Sequence, residues 1–166
     1  MMHRFNEIAK FGKELSTISD MDNALELIAI EAKRLLNSER CSIFLVDYET
    51  DMLWTKHSDG IGRIAISIDS GIVGHTFKSK TPQVVNNPYE NENFMPNIDK
   101  KTGFKTRNII TTLIFDSNHE VIGIIQLLNK IEGDFDDEDM KVLNFFANYI
   151  SGPLEFALLQ EQGSRL

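Results

Sequence analysis

Ile109-Ile110-Thr111-Thr112-Leu113-Ile114-Phe115, then Asp116-Ser117-Asn118-His119, then Val121-Ile122-Gly123-Ile124-Ile125-Gln126-Leu127-Leu128, is the stretch that decides the fold. Two runs rich in β-branched residues flank a short polar turn, which is the pattern of a β-hairpin. A similar pattern lies upstream, where Ser42 to Asp47 and Met52 to His57 flank Glu49-Thr50-Asp51. Ile64, Ile66 and Ile68 alternate with smaller residues and predict a third strand with one buried face. Strands joined by hairpins imply an antiparallel sheet.

Helical spacing brackets these strands. Ile8, Phe11, Leu15 and Ile18 form one apolar stripe that Ser19-Asp20 ends, and Leu25, Ile28, Ala32 and Leu35 form a second. Near the C-terminus, Asp136 or Asp137 caps a long helix whose stripe includes Met140, Leu143, Phe146, Ile150 and Leu154. Gly152-Pro153 is expected to kink or break it, because proline lacks the N–H that a helix requires. Between the hairpins, Gly71-Ile72-Val73-Gly74-His75 reads as a tight turn opening a short helix. Residues 86–97 hold five Asn and two Pro and read as a surface loop or lid, too polar for a core. The architecture is α+β, with the terminal helices on one face of the sheet.

Composition narrows the function. With 166 residues, 42% apolar and 25% charged, the chain can bury one substantial core. The net charge of -8 argues against a nucleic-acid-binding face. No apolar run reaches the roughly 18 residues that span a bilayer. The beginning lacks a signal-peptide pattern, and the one cysteine, Cys41, sits in an apolar run as a small hydrophobe. These readings place the protein in the cytoplasm, with neither nucleic acid nor membrane as partner. Enzyme motifs are missing: there is no P-loop, Gly-x-Ser-x-Gly elbow or His-Glu-x-x-His helix. The acidic run 134–139 lacks the alternating oxygen ligands of a calcium loop, and acids at a helix N-terminus account for it. No metal or cofactor is expected. Lys100, Lys101, Lys105 and Arg107 crowd one stretch, which either attracts a small anion or is a solvated loop.

Four segments, in order, resemble GAF domains: Cys41 to Asp47, Gly71 to His75, Asp99-Lys-Lys-Thr-Gly-Phe-Lys-Thr-Arg107, and Val121 to Lys130 followed by Phe135 and Asp139. The match runs from about Leu25 to Leu158. It is most similar to the cyclic-nucleotide-binding subgroup found in cyclic nucleotide phosphodiesterases and some bacterial adenylate cyclases. Asn129, Lys130, Phe135 and Asp139 keep the subgroup's signature, while Met140 stands where its final glutamate falls. Leu113 replaces a common proline, Ser58 lies where an aromatic often stacks on the base, and Ile125 is bulkier than usual.

The resemblance implies a sheet of about six strands, with terminal helices on one face and short helices and loops forming a ligand pocket on the other. It implies that Ser42 and Asp59 meet the purine, that the N–H groups of Ile72 and Val73 hold the cyclic phosphate, and that Asp99, Thr102, Thr106 and Gln126 supply polar contacts. Lys130 and Asp139 would pair with each other instead of touching ligand. Each residue has an ordinary alternative: Thr102-Gly103 a helix C-cap, Thr106 a strand entry, Gln126 a solvent-facing residue, Ser42 a core serine. The expected function is a regulatory sensor of a cyclic nucleotide or related purine, not an enzyme. It would work as a homodimer upon an output domain not on this chain. The alternative is a dimerisation and signal-transmission module with a vestigial pocket. A sulfoxide reductase on this fold needs two cysteines and is disfavoured. The expected organisation is a linker and dimerisation helix over 1–20, the GAF domain over 21–160, and a tail over 161–166. Dimerisation is expected because the stripes at Ile8, Phe11, Leu15, Ile18 and at Leu154, Ala157, Leu158 exceed what one sheet face needs.

Overall fold

Both hairpins form, and they meet in one sheet. The computed structural model describes residues 2–18, 20–58, 64–96, 99–100 and 103–163, the side chains of 2, 56–58 and 163 aside. In chain order the elements are α1 (Met2–Leu15), α2 (Met21–Leu36), β1 (Ser38–Asp47), β2 (Met52–Ser58), β3 (Ala65–Ser67), α3 (Gly71–Ser79), β4 (Gln83–Val85), a 3₁₀ turn (Pro88–Glu90), β5 (Ile109–Phe115), β6 (Val121–Lys130) and α4 (Asp137–Gly163). The six strands lie in the order β3-β2-β1-β6-β5-β4, antiparallel throughout.

The two-residue period of the strands divides the core. On one face Cys41, Ile43, Ile114, Ile125 and Leu127 pack against Leu25, Ile28, Phe146 and Ile150 of α2 and α4. On the other, Phe44, Leu53, Leu113 and Ile124 meet Val73 and Phe77 of α3. Each fully buried aliphatic side chain contributes about 1.5–3 kcal/mol, which favours this alternation over a one-residue slip.

The helix ends follow from local chemistry. Asp20 caps α2 by accepting from the N–H of Asn23 at 3.1 Å, and Asn37 closes it in the left-handed conformation. Asp136 and Asp139 cap α4 reciprocally: Asp136 Oδ1 accepts from Asp139 N at 2.8 Å, and Asp139 Oδ2 accepts from Asp136 N at 3.0 Å. This is a capping box with aspartate at its fourth position, and it accounts for the acids at this site.

Four expectations need correction. β1 begins at Ser38, four residues before the expected Ser42, because Asn129 and Lys130 extend its partner β6 and give it a longer edge to pair with. The loop over 86–97 is not wholly solvated: Pro88 is buried, and Phe94 packs against Ile72, Val85 and Ile109. Helix α4 does not break at Gly152-Pro153 but runs to Gly163. Beyond the proline, Leu154 and Ala157 are fully buried, and Glu155 accepts from Ser117 N and Oγ at 3.1 Å. These contacts offset the roughly 3 kcal/mol cost of an internal proline. Lastly, the terminal stripes are not surplus. Ile8, Phe11, Leu15, Leu154 and Ala157 are buried within this one chain, where α1 packs on α4.

Candidate functional site

A cavity of about 420 Å³ lies on the sheet face opposite the terminal helices, within the usual range for a small-molecule site. Its floor comes from β1 and β6. Arg40, Ser42 and Phe44 alternate toward it from β1, and Gln126 and Leu128 from β6, with Ser42 opposite Gln126 and Arg40 opposite Leu128. The start of α3 forms one wall, and the segments carrying Phe94, Met95, Asp99, Phe104 and Thr106 form another.

The opening turn of α3 can receive an anion. Gly71 has φ +70, a conformation that glycine adopts without strain, and turns the chain so that Ser70, Gly71, Ile72 and Val73 all line the cavity. Ser70 stands at the N-cap, yet its hydroxyl makes no capping bond. The first N–H groups of a helix lack intrahelical acceptors and carry the positive end of its dipole. Gly74 lets the turn sit tight, since a Cβ there would lie 2.8 Å from the carbonyl oxygen of Ile68.

Asp99 and Thr106 are joined to each other. Asp99 Oδ2 accepts from Thr106 N at 2.9 Å, Oδ1 accepts from Thr106 Oγ1 at 3.0 Å, and the Tyr89 hydroxyl donates to Oδ2. The hydrogen bond to Asp99 pushes the Tyr89 hydroxyl above its ordinary pKa. These bonds tie the 86–97 loop to the segment entering β5. Gly103, at φ +78, donates to Asp99 O at 2.9 Å, as in a helix C-cap.

Of the residues expected at a ligand, Ser42, Ile72, Val73, Asp99, Thr106 and Gln126 border this one cavity. Asp59 and Thr102 lie outside the described residues. Asn129, Lys130, Phe135 and Asp139 stand apart from it and brace its frame. Asn129, fully buried at φ +59, accepts from Arg107 N at 2.5 Å and donates to Lys105 O at 2.9 Å and Glu39 Oε2 at 3.0 Å. Asn108 reciprocates, accepting from Lys130 N at 2.8 Å. Lys130 Nζ donates to Asp139 Oδ2 at 2.6 Å, and the backbone N–H and carbonyl of Phe135 are bonded by Asn86. The Asn129 amide holds the Glu39 carboxyl below its usual range, with Arg107 adding to the effect.

Sequence reasoning missed Arg40, Phe44, Phe94 and Phe104. The period of two through Ser42 was enough to place Arg40 and Phe44 on the same face. Arg40 stacks on Phe104, its guanidinium carbon 3.6 Å from the ring centroid. Phe94 was obscured by its polar neighbours. Lys100, Lys105 and Arg107 are exposed and none lines the cavity; Arg107 is engaged with Glu39 at 3.0 Å.

The chain is similar to a probable 3',5'-cyclic phosphodiesterase of Caenorhabditis elegans, 28% identical over 159 residues that make up 87% of this chain and 22% of that protein. It therefore spans under a quarter of that relative. Among solved structures, the GAF domain of a phosphoenolpyruvate-protein phosphotransferase from Coxiella burnetii superposes with TM-score 0.81 at 14% identity, covering 98% of both chains. The free methionine-R-sulfoxide reductase of Neisseria meningitidis, in complex with its substrate, gives 0.77 at 18% identity over 93% of this chain and 90% of that one. At these identities the likeness shows the fold. The family model of the GAF domain matches residues 20–153, and the chain belongs to the GAF domain family.

Proposed function

We propose that this GAF domain is a regulatory sensor that binds a cyclic nucleotide or a related purine in the cavity. The observation that carries this reading is the pairing of two unlike ends in one cavity. An uncapped helix start at Ile72 and Val73 suits a single phosphate, and a floor bearing Ser42 and Gln126 beside Phe44 and Leu128 suits a heterocycle with polar edges. The similarity to a cyclic phosphodiesterase supports the same ligand class. Asp59 and Thr102 are assigned to the base side by the resemblance alone. Asp99 and Thr106 act on the ligand as a closed lid.

The domain is not an enzyme in this reading. Cys41 is fully buried on the helix side of β1, so it offers the cavity no thiol nucleophile. Residues 1–20 are assigned as a linker whose helix α1 packs on α4, and 21–160 as the sensing domain, with the output domain elsewhere. Among the described residues no helix is long and apolar enough to cross a membrane, and a cytoplasmic location fits the buried thiol. The homodimer is assigned to the outer side of α4, where Tyr149, Phe156 and Leu159 are exposed at helical spacing.

The satisfied Asp99 favours a second reading, a domain whose closed lid serves structure and whose pocket is vestigial. Thermal melts with cyclic AMP, cyclic GMP and the non-cyclic mononucleotides separate the two. A ligand at about a hundred times its Kd stabilises the fold by about 2.7 kcal/mol, and a vestigial pocket shows no shift.

A further inference from the structure

We infer that two adjacent threonines, Thr111 and Thr112, couple the first turn of α3 to α4 through the sheet, so that occupancy of the cavity is transmitted to the long terminal helix. The inference rests on the proposed function only for what that turn binds. In β5, Ile109-Ile110-Thr111-Thr112-Leu113-Ile114-Phe115, two hydroxyls stand in the middle of an otherwise apolar strand. Both residues are buried, Thr111 fully. A buried hydroxyl costs stability unless it is bonded. Each of these is bonded, and to a different helix.

Strand alternation sends the pair to opposite faces. Thr111 shares its side with Ile109 and Leu113 and lies opposite Gln126 of the cavity floor. There it meets Thr76 of α3, fully buried, with the two Oγ1 atoms 2.6 Å apart. Thr112 shares its side with Ile110 and Ile114 in the helix-side core, and its Oγ1 donates to Asn144 Oδ1 of α4. Neighbouring residues of one strand thus hold both helices.

The bonds on the cavity side have a direction. Thr76 Oγ1 donates to Ile72 O at 2.8 Å, so in the bond between the hydroxyls Thr111 is the donor. The Ile72 carbonyl belongs to the same peptide group as the Val73 N–H. Gly74 N donates to Ser70 O at 2.9 Å, and the Val73 N–H comes before that first helical bond, among the donors left for an anion. The Thr111 hydroxyl, the Thr76 hydroxyl and the 72–73 peptide therefore form one head-to-tail chain, in which each bond strengthens the next. An anion that takes the Val73 N–H tightens this chain and draws on β5. Because the next residue of β5 is bonded to Asn144, the shift is delivered to α4. Linkage is reciprocal, so releasing Asn144 must alter affinity at the turn.

Nuclear magnetic resonance and calorimetry on the ¹⁵N-labelled 166-residue chain test this. Thr76→Val combined with Thr111→Val removes both hydroxyls at nearly constant volume and orphans neither. Without ligand, this double variant should move the side-chain amide signals of Asn144, across the sheet. Thr112→Val should in turn move the backbone signals of Ile72 and Val73. With cyclic GMP and cyclic AMP, Thr112→Val should weaken binding of both by a common factor of about two- to tenfold. Ile110→Val, a change on the same face that removes no hydroxyl, should leave affinity as it is. Asn144 signals that stay fixed in the double variant overturn the inference. So does unchanged affinity in Thr112→Val, or an equal loss in Ile110→Val, which would assign the effect to packing. If the native chain binds neither nucleotide, the proposed function falls, and the signals measured without ligand decide the coupling by themselves.

Discussion

Asp99 holds Thr106 at two points, the backbone N–H at 2.9 Å and the hydroxyl at 3.0 Å, and in doing so fastens the lid segment to the strand it feeds. A carboxylate spent in this way shapes the cavity without reading the ligand.

Asp99→Asn should therefore weaken cyclic AMP and cyclic GMP by the same factor. One charge-assisted bond is lost, at a cost of about 1.5–3 kcal/mol, or roughly ten- to a hundredfold in affinity. Parallel calorimetric titrations check this, and a changed ratio between the nucleotides would place the carboxylate on the base instead.

Asn129→Ala should destabilise the fold by about 2 kcal/mol or more. It strips partners from Arg107 N–H and Lys105 carbonyl and puts at φ +59 an alanine, which tolerates the left-handed region less well than asparagine. Asn129→Gly, which tolerates the backbone, should recover part of the loss. Urea denaturation of both variants measures the difference, and equal stabilities would assign the whole effect to the lost hydrogen bonds.

Acid should loosen the frame in a defined direction. Glu39 titrates below its ordinary 4.5 because the Asn129 amide and then Arg107 bond its carboxylate, and Asp136 below 3.8 because the Asp139 backbone N–H does so. A carboxyl depressed in the folded state contributes stability above its unfolded pKa and loses it as pH falls through the folded value. Melting midpoints should thus drop between about pH 5 and about pH 3, and less steeply in Glu39→Gln. Identical slopes for the two proteins would remove Glu39 from the acid response.

Phe156→Glu should convert the proposed homodimer to monomer without unfolding it, because Phe156 is 49% exposed in the single chain. Sedimentation velocity measures this directly. A native chain that is already monomeric at high micromolar concentration contradicts the dimer, and a variant that stays dimeric moves the interface elsewhere.

The second hairpin was legible because two runs rich in β-branched residues, Ile109–Phe115 and Val121–Leu128, flank a short polar turn, and the structure buries nearly all of β5 and most of β6. Helix α4 was legible at its start, where Asp136 and Asp139 cap each other, but not at Pro153. A local rule predicts the proline's cost and knows nothing of the buried Leu154 or the Glu155–Ser117 bonds that outweigh it. The terminal stripes misled for a related reason. Their apolar pattern reports that they are covered, not by which chain, and here α1 and α4 cover each other. In the cavity, residue type along the chain brought Asp99 and Thr106 to notice, but their mutual bonding is a tertiary fact. Arg40 lay in plain alternation with Ser42 and was missed because a lone arginine before a strand core reads as solvated.

The central claim is that a cyclic nucleotide sits in this cavity with its phosphate on the first turn of α3. Amide chemical shifts of the ¹⁵N-labelled chain, followed while cyclic GMP or cyclic AMP is added, test it most directly. The N–H signals of Ile72 and Val73 should move downfield and saturate together with those of Thr106 and Gln126. Signals at Ile72 and Val73 that stay fixed at saturating nucleotide would contradict it.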